Sequence, residues 1–72
     1  MEYLKVNFRE ARRVLIDGKS SNQTNVVIEK EAGTYTVSLV PPPDFKPKEI
    51  KVALDPGTTG PLSPKEVSFE TI

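Results

Sequence analysis

Apolar side chains recur at every second position along most of this chain, the period of half-buried β-strands. Leu4, Val6 and Phe8 alternate with Tyr3, Lys5, Asn7 and Arg9, which predicts a strand with one inward face. Arg12 to Ile16 predicts a second strand with Val14 and Ile16 inward, closed by the turn dipeptide Asp17-Gly18. Glu10 to Leu15 has some helical character, but it lacks a cap and is cut short by that turn. Lys19 to Asn25 is polar throughout and reads as a loop.

Val26 to Lys30 reads as a third strand, with Val26 and Ile28 sharing one face. Thr34 to Val40 is the strongest strand of the chain, because Tyr35, Val37 and Leu39 alternate with Thr34, Thr36 and Ser38, and branched and aromatic side chains suit a pleated surface. The short Gly-containing link between these two strands predicts a hairpin. Pro41-Pro42-Pro43 stops pairing, since proline donates no backbone hydrogen bond. Lys48 to Leu54 resumes the alternation with Ile50, Val52 and Leu54 inward. Asp55 to Pro64, rich in Pro, Gly and Thr, reads as the most mobile loop, and Glu66 to Ile72 ends the chain with Val67 and Phe69 on one face.

The pattern predicts an all-β fold, a small antiparallel β-sandwich of about six strands without significant helix, forming a single domain over residues 1–72. The expected core is Leu4, Val6, Phe8, Val14, Ile16, Ile28, Tyr35, Val37, Leu39, Ile50, Val52, Leu54, Val67 and Phe69.

Between Arg13 and Leu54 the chain resembles the PEGA domain, a small β-sandwich module. The resemblance is carried by the strand and turn Val14-Leu15-Ile16-Asp17-Gly18-Lys19, by Ala32-Gly33-Thr34-Tyr35-Thr36-Val37, and by Phe45 followed by the strand Glu49 to Leu54. It departs from the family in Ser21-Asn22-Gln23-Thr24-Asn25 and in Pro43-Asp44-Phe45, where loop geometry differs. The same short motifs occur in carboxypeptidase regulatory-like and transthyretin-like modules. The resemblance implies a non-enzymatic module and supplies no catalytic residue.

Composition changes the picture in one direction. The chain of 72 residues contains no Cys and no His, so disulfides, zinc sites and His-based nucleophilic triads are not expected, and no cofactor is. Ten basic residues balance ten acidic ones, which gives no global field to attract nucleic acid or an anionic membrane. The first residues, Met1 to Val6, carry no long apolar run, and a cytoplasmic location is the expectation. The carboxylate pairs Glu29 with Glu31 and Glu66 with Glu70 read as solvated strand faces. Asp17, Asn22 and Asn25 lack the spacing of a calcium loop. Gly57-Thr58-Thr59-Gly60 lacks the Lys and the helix of a phosphate cradle.

Two candidate surfaces remain. Phe45 among Pro42 and Pro43 is either an end plug or a contact anchor, and its apolar bulk favours the plug. Arg9, Arg12 and Arg13 form a basic cluster that, beside an exposed Tyr3, would suit a single strand of nucleic acid. The leading expectation is a binding or scaffolding module acting through protein–protein contacts at sheet edges or at the Phe45 loop. Its partner would be another protein, with no nucleic acid and no membrane, and the chain itself a monomer or weak homodimer. The alternative is a small barrel that binds single-stranded nucleic acid.

Overall fold

A computed structural model describes all of residues 1–72. The chain forms nine strands and no helix: β1 (Glu2–Asn7), β2 (Arg13–Ile16), β3 (Lys19–Gln23), β4 (Val27–Lys30), β5 (Gly33–Leu39), β6 (Phe45–Lys46), β7 (Ile50–Leu54), β8 (Lys65–Ser68) and β9 (Glu70–Thr71). One sheet has the order β4-β1-β8 and a second the order β3-β2-β5-β7, while β6 and β9 make a two-stranded sheet. The two larger sheets contribute alternate residues to one core: Leu4 and Val6 from the first, and Val14, Ile16, Val37, Leu39, Val52 and Leu54 from the second. Phe8, Phe45 and Phe69 complete that core.

The inward rows follow the predicted alternation, because side chains of a strand point to opposite faces in turn. Tyr35, Ile50 and Val67 are only partly buried and pack on the core from its rim. The Tyr35 ring lies under the Lys30 ammonium, and its hydroxyl donates to the Glu31 carbonyl.

Four features differ from the sequence expectation. The polar segment after Asp17-Gly18 is the strand β3 and not a loop. Both turn residues adopt positive φ, 52° at Asp17 and 80° at Gly18, and this reverses the chain tightly enough to pair β3 with β2. Backbone pairing at a sheet edge needs no apolar side chain, so hydropathy does not register it. The expected hairpin between the third and fourth predicted strands does not form: β4 pairs with β1, and β5 pairs with β2 and β7. Alternation fixes which face turns inward but not which sheet a strand joins. Ile28 and Val37 therefore belong to opposite sheets.

Val26 lies outside β4 and is exposed, so it does not share an inward face with Ile28. The last predicted strand splits into β8 and β9 around the buried Phe69, and β8 lies parallel to β1, so the sandwich is not purely antiparallel.

The connection from β1 to β2 crosses between sheets and leaves backbone groups that need partners. Thr24, 1% exposed, supplies them: its hydroxyl accepts from the Arg12 amide at 2.9 Å and donates to the Glu10 carbonyl at 2.7 Å. The Asn25 side-chain carbonyl accepts from the Phe8 amide at 3.1 Å.

Leu4 is fully buried at the centre of the first sheet. Leu4→Ala should lower the unfolding free energy by about 2–5 kcal/mol, a large share of the stability of so small a domain, as read from urea denaturation. A loss below about 1 kcal/mol would show that the core does not close on this residue.

Candidate contact surfaces

Arg9 and Arg12 of the basic cluster and the loop before Phe45 come together at one place. Sequence distance hid this, because the Pro41–Asp44 loop folds back onto the connection between β1 and β2. Arg12 reaches across with a side chain only 8% exposed. Its guanidinium donates to Asp44 Oδ1 at 2.6 Å, to Asp44 Oδ2 at 3.1 Å, to Glu10 Oε2 at 2.7 Å and to the Pro42 carbonyl at 3.0 Å. Arg9 adds a bond to Asp44 Oδ2 at 3.2 Å and lies within 3.6 Å of Glu10. The forked, bidentate contact is the strong geometry for an Arg–carboxylate pair.

Beneath the ions lies an aromatic stack. The guanidinium carbons of Arg12 and Arg9 stand 5.1 and 5.9 Å from the Phe8 ring centre, within cation–π range. Phe8 meets Phe45 edge-on at 6.4 Å, and Phe45 meets Phe69 edge-on at 5.5 Å. Phe45 is buried, so it is the end plug and not an exposed anchor. Pro42 and Pro43 are exposed and remain on the surface, with the Pro42 carbonyl held by Arg12.

The basic cluster is dispersed by the fold. Arg9 and Arg12 are neutralised by Asp44 and Glu10, while Arg13 turns to the Ser21 carbonyl at 2.9 Å. Tyr3 lies near the start of β1 and Arg9 lies beyond its other end, so on the order of 20 Å separates them. An aromatic–arginine platform for a nucleic-acid strand does not assemble from these residues.

A second built feature was not recognised from the sequence. Glu2 shares the inward row of Leu4 and Val6 and is only 5% exposed. Its carboxylate accepts from the Gly57 amide at 3.1 Å, the Thr59 amide at 3.3 Å and the Thr59 hydroxyl at 2.8 Å. The Thr59 hydroxyl oxygen in turn accepts from the Tyr3 amide at 2.8 Å. The segment expected to be the most mobile loop is therefore tied to β1. The signal lay in parity: Glu2 falls on the same alternation as Leu4, Val6 and Phe8.

Both displaced carboxyls are held in the ionised form. The Arg12 guanidinium holds Asp44 down to about 2, and the Gly57 amide with the Thr59 hydroxyl holds Glu2 below its ordinary value. The partner effect on Arg12 is to raise its own proton affinity, chiefly through Asp44 and then Glu10.

The remaining polar candidates serve the backbone or lie in solvent. Asp17 Oδ1 accepts from the Thr36 amide at 2.9 Å, and Asn25 is committed to Phe8. Glu29, Glu31, Glu66 and Glu70 are exposed. A shallow open groove of about 380 Å³ is lined by Ala11, Arg12, Arg13, Asn22, Gln23 and Val26. No group of three or more His, Cys, Asp or Glu residues is placed to share a metal ion. No helix is long and apolar enough to cross a membrane.

The sheet edges carry devices that discourage strand addition. The β2–β3 ladder shifts register between Arg13 and Leu15, placing an irregularity along edge strand β3. Edge strands β4, β7 and β8 expose Glu29, Lys51, and Lys65 with Glu66 respectively. No protein-family model matches the chain, and no curated protein and no solved structure matches it either.

Two outcomes test these contacts. Asp44 has a lowered folded value, so its stabilisation is complete above the ordinary 3.8 and is lost as pH falls toward about 2. The melting temperature of the wild type should exceed that of Asp44→Asn at neutral pH, and the gap should close on acidification through that window. A pH-independent gap would mean that the carboxylate charge is not what Arg12 holds. Separately, Glu2→Ala should speed amide hydrogen exchange at Gly57 and Thr59 while leaving the β5 amides protected. Unchanged exchange at Gly57 and Thr59 would sink the assignment of Glu2 as the loop's tether.

Proposed function

We propose that this chain is a non-enzymatic, PEGA-like β-sandwich that displays rigid loops for contact with another protein. The observation that carries this reading is where the buried polar side chains are used. Glu2 ties down the loop at Gly57–Thr59, Thr24 the connection at Glu10–Arg12, and Arg12 the loop at Pro42–Asp44. Each immobilises a surface segment, and of the three only Arg12 also borders the open groove. Ordering a loop before binding lowers the entropy lost on association, which is the advantage of a preorganised contact surface.

Several features support the reading. Asp44 and Glu2 are satisfied acceptors held ionised, the reverse of a carboxyl poised to donate a proton. The blunted edges favour loops over strand addition as the contact surface. The Asp17-Gly18 turn, the entry of Thr34 and Tyr35 into a central strand, and Phe45 as an end plug all suit a PEGA-like module. The pairing of Arg9 and Arg12 with acids leaves little for the nucleic-acid alternative to use.

The test is a partner-mapping experiment on the full chain. A protein retained in a stable complex should perturb backbone amide resonances in the segments 8–12, 41–44 or 55–64. Perturbation confined to a strand face would count against the reading. So would a low-salt gel shift with a single-stranded oligonucleotide that survives moderate added salt.

A further inference from the structure

We infer that the open end of the arch from β3 to β4 binds a phosphate monoester between Lys19 and Lys30. This site is separate from the loops assigned to protein contact, and its failure would leave that reading standing.

The register places two lysines where the core pattern calls for apolar side chains. Lys30 pairs with Glu2 and follows the buried Ile28 by two residues, so it continues the inward row of β4. Lys19 pairs with the buried Ile16 and so shares the inward face of β2. β3 and β4 belong to opposite sheets and are linked by Thr24, Asn25 and Val26. At the end of the arch away from that link, Lys19 and Lys30 line one hollow of about 370 Å³ with Ile16, Asp17, Ser20 and Ser21.

Nothing in the chain neutralises the two ammonium groups. Every ion pair of the molecule is made by Arg9 or Arg12. Glu2 stands opposite Lys30 on the same face, but its carboxylate is taken by Gly57 and Thr59. Lys30 Nζ lies 5.2 Å from the centre of the Tyr35 ring, which holds it at the rim of the core without supplying a counter-charge. Asp17 is the one acid on the lining, and its Oδ1 accepts from the Thr36 amide. Glu29 points to the other face of β4, and Glu31, beyond the end of that strand, does not line the hollow. The hollow therefore keeps a surplus of positive charge. The groove at Ala11 and Val26 does not: Arg12 there is neutralised by Asp44 and Glu10, and Arg13 is turned to the Ser21 carbonyl.

The donor set selects the ligand. A lysine ammonium is a compact charge with three rotatable donors, whereas arginine presents the planar fork that matches a carboxylate. Two ammonium groups and the hydroxyls of Ser20 and Ser21 suit a compact oxyanion with three acceptor oxygens. A phosphate monoester supplies those oxygens and a charge approaching minus two at neutral pH. The hollow is larger than a bare phosphate, which leaves space for the group that carries the ester.

The test titrates the isotope-labelled full chain with O-phosphoserine at constant ionic strength and follows backbone amide resonances. Lys19, Ser20, Ser21 and Lys30 should shift along one saturable curve, and serine itself should shift none of them. Lys19→Gln and Lys30→Gln should each weaken binding about tenfold. Asp17→Asn keeps an acceptor for the Thr36 amide and removes the opposing charge, so it should tighten binding. Lys51→Gln, an exposed lysine of β7, should change nothing.

A phosphoserine peptide that binds more tightly than O-phosphoserine would place the ester on a protein chain, and equal affinity would place it on a small molecule; both results support the site. Acetate binding as tightly as O-phosphoserine overturns the phosphate assignment. Shifts that do not saturate, or a loss with Lys51→Gln equal to that with Lys30→Gln, overturn the site itself.

Discussion

The row Glu2, Leu4, Val6 and Phe8 along one face of β1 is the constraint on which the rest of the molecule depends. Because β1 is the central strand of its sheet, both neighbouring strands take their register from it. The middle of the row, Leu4 and Val6, sits in the core shared by both sheets. Its two ends reach the two ends of the sandwich: Glu2 holds the loop at Gly57 and Thr59, and Phe8 carries the arginines and begins the aromatic stack. A shift of one residue in this strand would move all four side chains to the solvent face together. Loop display at one end and ionic closure at the other are therefore consequences of a single register.

What could be read in the sequence follows from what is local. Alternation is a property of neighbouring residues, so the inward positions from Leu4 to Phe69 were legible, as was the plug role of Phe45. The turn at Asp17-Gly18 was legible because positive φ has a local chemical requirement. Sheet membership was not: Ile28 and Val37 carry the same inward signal whether they sit side by side or face each other across the core. The strand β3 escaped because Ser20, Ser21, Asn22 and Gln23 pair through backbone alone. The charged cap was not legible because arginines clustered in sequence need not make a net positive patch. Glu10 stands between Arg9 and Arg12, and Asp44 arrives from a distant loop. Glu2 was the one missed residue with a visible signal, its parity with Leu4.

The use of polar groups explains how a small sandwich without disulfides holds long connections in place. Proline and glycine give these loops their shapes, but a shape without an anchor fluctuates. Thr24, Glu2 and Arg12 each satisfy several backbone groups or charges at once, so one side chain fixes a whole connection. Their bonds are also mutually consistent: the Thr59 hydroxyl donates to Glu2 and accepts from Tyr3, which links the loop to two adjacent residues of the same strand. This economy suits a chain whose core is thin.

The parallel pairing of β1 with β8 has a consequence for the order in which the protein comes into being. On the ribosome β1 waits for a strand some sixty residues further along, since Val6 is matched to Val67 and the Asn7 carbonyl to the Phe69 amide. Until that segment emerges, one flank of β1 has no partner and Phe45 lacks the ring it packs against. Topologies dominated by such distant pairings close slowly. The nascent chain therefore carries an open apolar strand for as long as the intervening segment takes to be made. In the cell its yield would be governed as much by protection during translation as by the stability of the finished sandwich.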